Sequence, residues 1–308
     1  MNILLLGFAF TVPYHVMRCA VAAGHRVTML GNGPAHGLLR SPSCADFYLS
    51  DFDYHSPDYR ILVQEIAHLA IAIGFDLVMP SDDVSTRALA AIKDEIPLPA
   101  TPLAPVEIFD MLRHPANFAQ LCAHHGVPFS DHVEIAGETL GLSVLCERGK
   151  IVAYLVEERT ERHFRIHDNP EPVAATARLL EASGFDGVAH FGAVIDRATG
   201  LSHLTGCRPC FPPSIASAMV AGINFVDAAI NLSQGVLPPQ STLPTTAIKL
   251  HPIALHALAM PWRLSRRDWR MLCYHLRERE LFPRRVDDSD VFVRTMEEYA
   301  SPAERLAS

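Results

Sequence analysis

Two cysteines three residues apart, Cys207-Arg-Pro-Cys210, come nearest to a redox or metal motif in this sequence. They stand between a β-prone run and a stretch of small residues from Ser214 to Gly222, a setting in which a helix dipole can lower a thiol pKa. Zinc would need a second such pair, and the chain has none. Two readings are left: a thiol couple, or two buried thiols that fill space. Asp82 and Asp83 follow the apolar run Asp76-Leu-Val-Met-Pro80. They either face a ligand at a strand end or cap the next helix, where carboxylates meet the positive end of the dipole. His114, His124 and His125 are the candidate metal histidines. Sequence neighbours on a helix diverge, so His124 and His125 are not expected to share an ion. In the charge run Glu157-Glu-Arg-Thr-Glu-Arg-His163, Arg159 and Arg162 either reach a cleft or protect an exposed strand edge.

The elements that would position these groups follow from periodicity. Ile3 to Leu6, Arg26 to Leu30, Phe47 to Leu49 and Asp76 to Pro80 read as strands alternating with helices. Ser56-Pro57 is expected to start the second helix, with Leu62, Ile66, Leu69 and Ile73 on its apolar face and Gly74 at its end. This is the pattern of a doubly wound parallel sheet. Gly7-Phe-Ala-Phe-Thr-Val-Pro13 lacks the repeated glycines that bring backbone against a pyrophosphate, which speaks against a dinucleotide. Further on, Ser143 to Tyr154 reads as a hairpin turning at Arg148-Gly149, with Lys150 a solvated turn residue. A helix ending at Gly184 precedes a second hairpin, Val188 to Ile195 and Leu201 to Thr205, turned by Asp196 to Gly200. Beyond a Pro-rich connector, Ser265-Arg-Arg-Asp268 and Ser301-Pro-Ala-Glu304 are helix-start signatures. Trp262 and Trp269 near the connector either form a partner surface or anchor a helix.

The 308 residues are 49% hydrophobic and 19% charged, enough for two or three subdomains. A net charge of −8 argues against a nucleic-acid or anionic-membrane partner. The N-terminal apolar run is short and lacks a basic flank, and no run approaches the ~18 residues of a span, so a cytoplasmic protein is expected. Seven cysteines without framework spacing fit reduced thiols.

The hairpin Gly187 to Phe211, with the helix after it, resembles the ATP-grasp superfamily in its carboxylate–amine ligase-like branch. Ala22-Ala-Gly-His-Arg-Val27 and Pro80-Ser-Asp-Asp-Val-Ser-Thr-Arg-Ala-Leu89 are similar to the family's N-terminal domain, and Gly126-Val-Pro128 to the exit of a family helix. The likeness covers roughly residues 1 to 230, more than one domain's length, and it lies in the frame rather than in the chemistry. By that resemblance the metal-binding Glu falls on Gly192, the Glu and Asn of the second strand on Gly206 and Arg208, the following Arg on Cys210, and a phosphate lysine on Pro115. Mg²⁺ is a hard cation held by carboxylates, and two glycines supply no ligand. The family's nucleotide lid, a subdomain of roughly 60 to 80 residues, has no counterpart: Asp131 leads to Leu142 in about a dozen residues.

The resulting expectation is an α/β protein. Residues 1–104 form a Rossmann-like pre-ATP-grasp domain with a doubly wound parallel sheet. Residues 105–235 form a truncated ATP-grasp α+β domain with an antiparallel sheet, and 236–308 a helical C-terminal extension. The resemblance implies a degenerate, inactive protein that binds or scaffolds in a biosynthetic pathway, with no catalytic residues, no metal and no cofactor. Its ligand positions would be Asp82, Asp83, Arg159 and Arg208, its partner a protein or a small molecule. The alternative is an active MgATP-dependent ligase with metal ligands relocated to Asp82, Asp83 or Asp196.

Overall fold

The structure is a computed structural model and describes residues 1–131, 137–159, 163–167, 169–212, 214–237 and 247–249. Strand β1 (Asn2–Gly7) is buried along nearly its whole length because parallel neighbours flank it and helices cover its faces. With β2 (Arg26–Gly31), β3 (Asp46–Leu49) and β4 (Leu77–Pro80) it forms an all-parallel sheet of order β3-β2-β1-β4. The crossovers are α1 (Thr11–Ala22) and α2 (Arg60–Ile73), and α3 (Asp83–Ile92) follows β4.

Helix α2 starts at Arg60, later than Ser56-Pro57 implies. The Ser56 hydroxyl accepts from the Asp58 amide and the Asp58 carboxylate from the Arg60 amide, so two local turns consume the capping groups first. Leu62, Ile66 and Leu69 are buried as expected, but Ile73 is not, and Gly74 closes the helix at φ +77°.

Helices α4 (Val106–Arg113) and α5 (Pro115–His124) bridge to the second half. After α5 the chain runs beside a later strand, Ser130 donating to the Leu204 carbonyl, and β5 begins at Gly137. Only five residues separate Asp131 from the start of β5, against the roughly 60 to 80 of a lid subdomain. The second sheet has order β10-β7-β6-β5-β8-β9, built from β5 (Gly137–Glu147), β6 (Lys150–Arg159), β7 (His163–His167), β8 (Gly187–Asp196), β9 (Ser202–Arg208) and β10 (Ala247–Lys249), every pair antiparallel. Both expected hairpins are present, the first turning at Arg148 and Gly149 with positive φ. The charge run 157–163 is divided between β6 and β7, and β6 is interior, so the expectation of a charged exposed edge fails for Glu157.

Helix α6 (Pro170–Ser183) packs on one face of this sheet. The other face meets α7 (Ile215–Val220), α8 (Phe225–Ser233) and the first half of the chain. The helix signatures at Ser265 and Ser301, and both tryptophans, lie outside the described residues.

Candidate functional site

Strand alternation creates the site. Leu140, Leu142 and Val144 of β5, Val156 of β6 and Ala189, Phe191 and Ala193 of β8 point into the core under α5 and α6. Their alternates point the other way. At one end of that opposite face, Leu145, Leu155 and Val188 join the core shared with α1 and α8. At the other end the alternates are Gly141, Glu157, His190, Gly192, Gly206 and Arg208, and they wall a cavity of about 470 Å³ closed on its far side by Arg113, Pro115 and Ser214.

Register places these residues in two rows across the sheet. One runs Glu157–Gly141–Gly192–Gly206, the other Leu155–Ser143–His190–Arg208. The glycines are occupied ground. A Cβ on Gly141 would stand 2.8 Å from His190 Cε1 and 3.3 Å from Glu157 Oε1, so the missing side chain is what lets those two groups converge. A Cβ on Gly192 would overlap the Thr205 hydroxyl, which a bulge between β8 and β9 turns over that strand. His190 Nδ1 and the buried Ser143 hydroxyl share a hydrogen bond of 3.0 Å, which fixes the ring. Glu157 is 3% exposed and brings a carboxylate to the same cavity wall as the positions where the resemblance puts metal acids.

The other expected ligand residues lie apart from this row. Asp82 accepts from the amides of Phe8 (2.7 Å), Ala9 (2.8 Å) and Ser85 (2.8 Å). It caps α3 and fastens the loop after β1, so the loop amides that would meet a phosphate already hold an internal anion. Asp83 pairs with Arg113 at 2.9 and 3.1 Å. Arg113 also lines a second hollow of about 350 Å³ beside Tyr54, Tyr59 and Arg87. Asp196 sits exposed in the β8–β9 turn, its carboxyl lowered by hydrogen bonds from the Ala198 amide and the Thr199 hydroxyl. Arg159 ends β6, and its side chain lies outside the described residues. Pro115 is the first residue of α5 and leaves no ammonium there. Among the described residues no three His, Cys, Asp or Glu are grouped to hold a metal ion; His124 and His125 stack edge to face at 4.9 Å.

Cys207 and Cys210 are buried free thiols. Burial, with Asp83 and Asp82 adding repulsion, pushes Cys210 up to about 12, and burial raises Cys207 well above its ordinary value. Both therefore stay protonated at neutral pH, which removes the thiolate that redox chemistry needs. Sequence reasoning missed Ser143, His190 and Arg113. His190 and Gly192 interrupting an otherwise apolar strand were the legible sign.

No family model and no curated protein matches the chain. Solved structures do. Biotin carboxylase from Campylobacter jejuni superposes with a TM-score of 0.59 at 12% identity, covering 79% of this chain and 73% of that one. L-amino acid ligase from Bacillus licheniformis gives 0.57 at 13%, covering 78% and 75%. Pyruvate carboxylase from Rhizobium etli gives 0.57 at 16% over 79% of this chain, which spans only 27% of that enzyme's length. Two sheets, one parallel and one antiparallel, joined in this order and matched by these enzymes, give the chain the ATP-grasp fold.

Proposed function

We propose that the chain is a degenerate ATP-grasp protein that holds a small-molecule ligand or a protein partner in its cleft without MgATP-dependent ligation. The observation carrying this reading is the composition of the cleft wall, which includes Gly192, Gly206, Arg208 and Pro115, the residues to which the resemblance assigns the metal ligands and the phosphate lysine. A triphosphate carries about four negative charges, and without a divalent ion the two arginines of the cleft, one of them paired with Asp83, leave most of that charge uncompensated. The short 131–136 connection adds that no lid would exclude water. Six described cysteines are free thiols, and among the described residues no helix is long and apolar enough to cross a membrane, in keeping with a place in the cytoplasm. The test is isothermal titration with MgATP. Binding no tighter than about millimolar is expected, and a micromolar site ends this reading.

One observation favours a second reading, an active ATP-dependent carboxylate–amine ligase. Glu157 brings a buried carboxylate to this wall from β6, a relocated acid that Asp82, Asp83 and Asp196 do not supply. ADP release over a panel of amino acids and carboxylates, abolished in Glu157→Gln, would establish it.

A further inference from the structure

We infer that the cleft is a metal-independent site for a small oxyanion, a carboxylate or phosphate group, gripped by Arg208 and Arg113. The inference rests on the cleft being free of Mg²⁺, and it names what the cleft holds instead.

Arg208 ends β9 at the cleft rim, exposed, and no acid among the described residues pairs with it. Arg113 enters the same cavity from the end of α4. The two guanidinium groups come from different elements, β9 and α4, yet line one cavity of about 470 Å³. Two guanidinium forks offer N–H donors in the geometry that carboxylate and phosphate oxygens accept. The hydroxyls of Thr205 and Ser214 line the same cavity.

The acids nearby set the limits of the site. Glu157 stands three strands from β9, about 14 Å at ordinary strand spacing. At that distance its repulsion of an anion bound at Arg208 is several times weaker than at contact. Asp83 is different, because it touches Arg113 and half neutralises it. An incoming anion must take Arg113 from Asp83, which makes this ion pair the element that sets affinity. The molecule's net charge of −8 opposes anions generally, so affinity must be local.

The experiment is isothermal titration with inorganic pyrophosphate and, separately, with succinate, both in excess EDTA, with circular dichroism melts confirming that each variant is folded. At least one probe is expected to bind in the millimolar range or tighter, weakened about tenfold or more by Arg208→Ala. Arg113→Ala should weaken it too, and Asp83→Asn should tighten it by a few-fold. The stronger probe assigns the group as phosphate or carboxylate. Absence of binding by both probes, binding that needs Mg²⁺, or binding indifferent to Arg208→Ala overturns the inference. Each outcome is separable from the MgATP titration. Micromolar MgATP binding would end the ligase-inactive reading, while silent pyrophosphate and succinate titrations would end only this one.

Discussion

Asp82 and Glu157 are both buried acids within reach of the second half of the molecule, and their surroundings give them different work. Three amides surround Asp82, so it acts as a fastener between the loop after β1 and the start of α3. Replacing it with alanine leaves three backbone donors, two of them buried, without their acceptor. The expected loss is about 3 kcal/mol, read as a lower urea midpoint with an unchanged slope. The sequence offered both capping and ligand binding for this residue, with capping the favoured reading. Only the second partner, the Phe8–Ala9 loop 74 residues away, separates them, and no local pattern announces a long-range bond. Cys210 makes a matching case with pH. Its folded pKa of about 12 lies above the unfolded value of 9.0, so the stability it lends is fully present below pH 9 and is lost as pH rises toward 12. The urea midpoint should therefore fall between pH 8 and 11, and Cys210→Ala should fall less. The two should differ by about 2 kcal/mol of pH-dependent stability.

Strands β5 and β8 show what periodicity can and cannot disclose. Their apolar alternates were readable as core, and the two hairpin turns were readable from Arg148-Gly149 and from Asp196 to Gly200. Which polar alternates meet across the sheet was hidden, because that depends on register between strands separated by a helix and two hairpins. Gly141 fell in the connection before the strand expected from Ser143, yet β5 includes it and register puts it beneath His190 and Glu157. Its neighbours there are side-chain atoms rather than backbone and can give by a small shift, so Gly141→Ala should cost no more than about 1.5 kcal/mol in folding. It should still displace His190 and Glu157, seen as altered ligand affinity in a protein of nearly unchanged melting temperature. Gly187 is the contrast within β8. Its φ is +105°, and a Cβ would press the Pro102 carbonyl oxygen at 2.5 Å, which backbone cannot relieve. Gly187→Ala should cost about 3 kcal/mol, and a melting temperature equal to that of Gly141→Ala would refute the distinction.

The two sheets are separate in topology but not in packing. Ile3 and Leu5 of β1 and Met17 of α1 share one buried cluster with Leu145 of β5, Val188 of β8, and Phe225 and Ile230 of α8. The cleft depends on that shared core, because Arg113 reaches it from the connecting helix α4 while Arg208 comes from β9, and only a fixed junction keeps them opposed. Phe225 is fully buried at this junction. Truncating it to alanine removes packing that belongs to both halves at once, at a cost of about 4 kcal/mol. If the halves form one cooperative unit, hydrogen exchange should quicken by a similar factor at the amides of β1 and of β5, although Phe225 lies in neither strand. Quickened exchange confined to the antiparallel sheet would mean that the parallel sheet folds by itself, and that the cleft between Arg113 and Arg208 is a domain contact rather than part of one core.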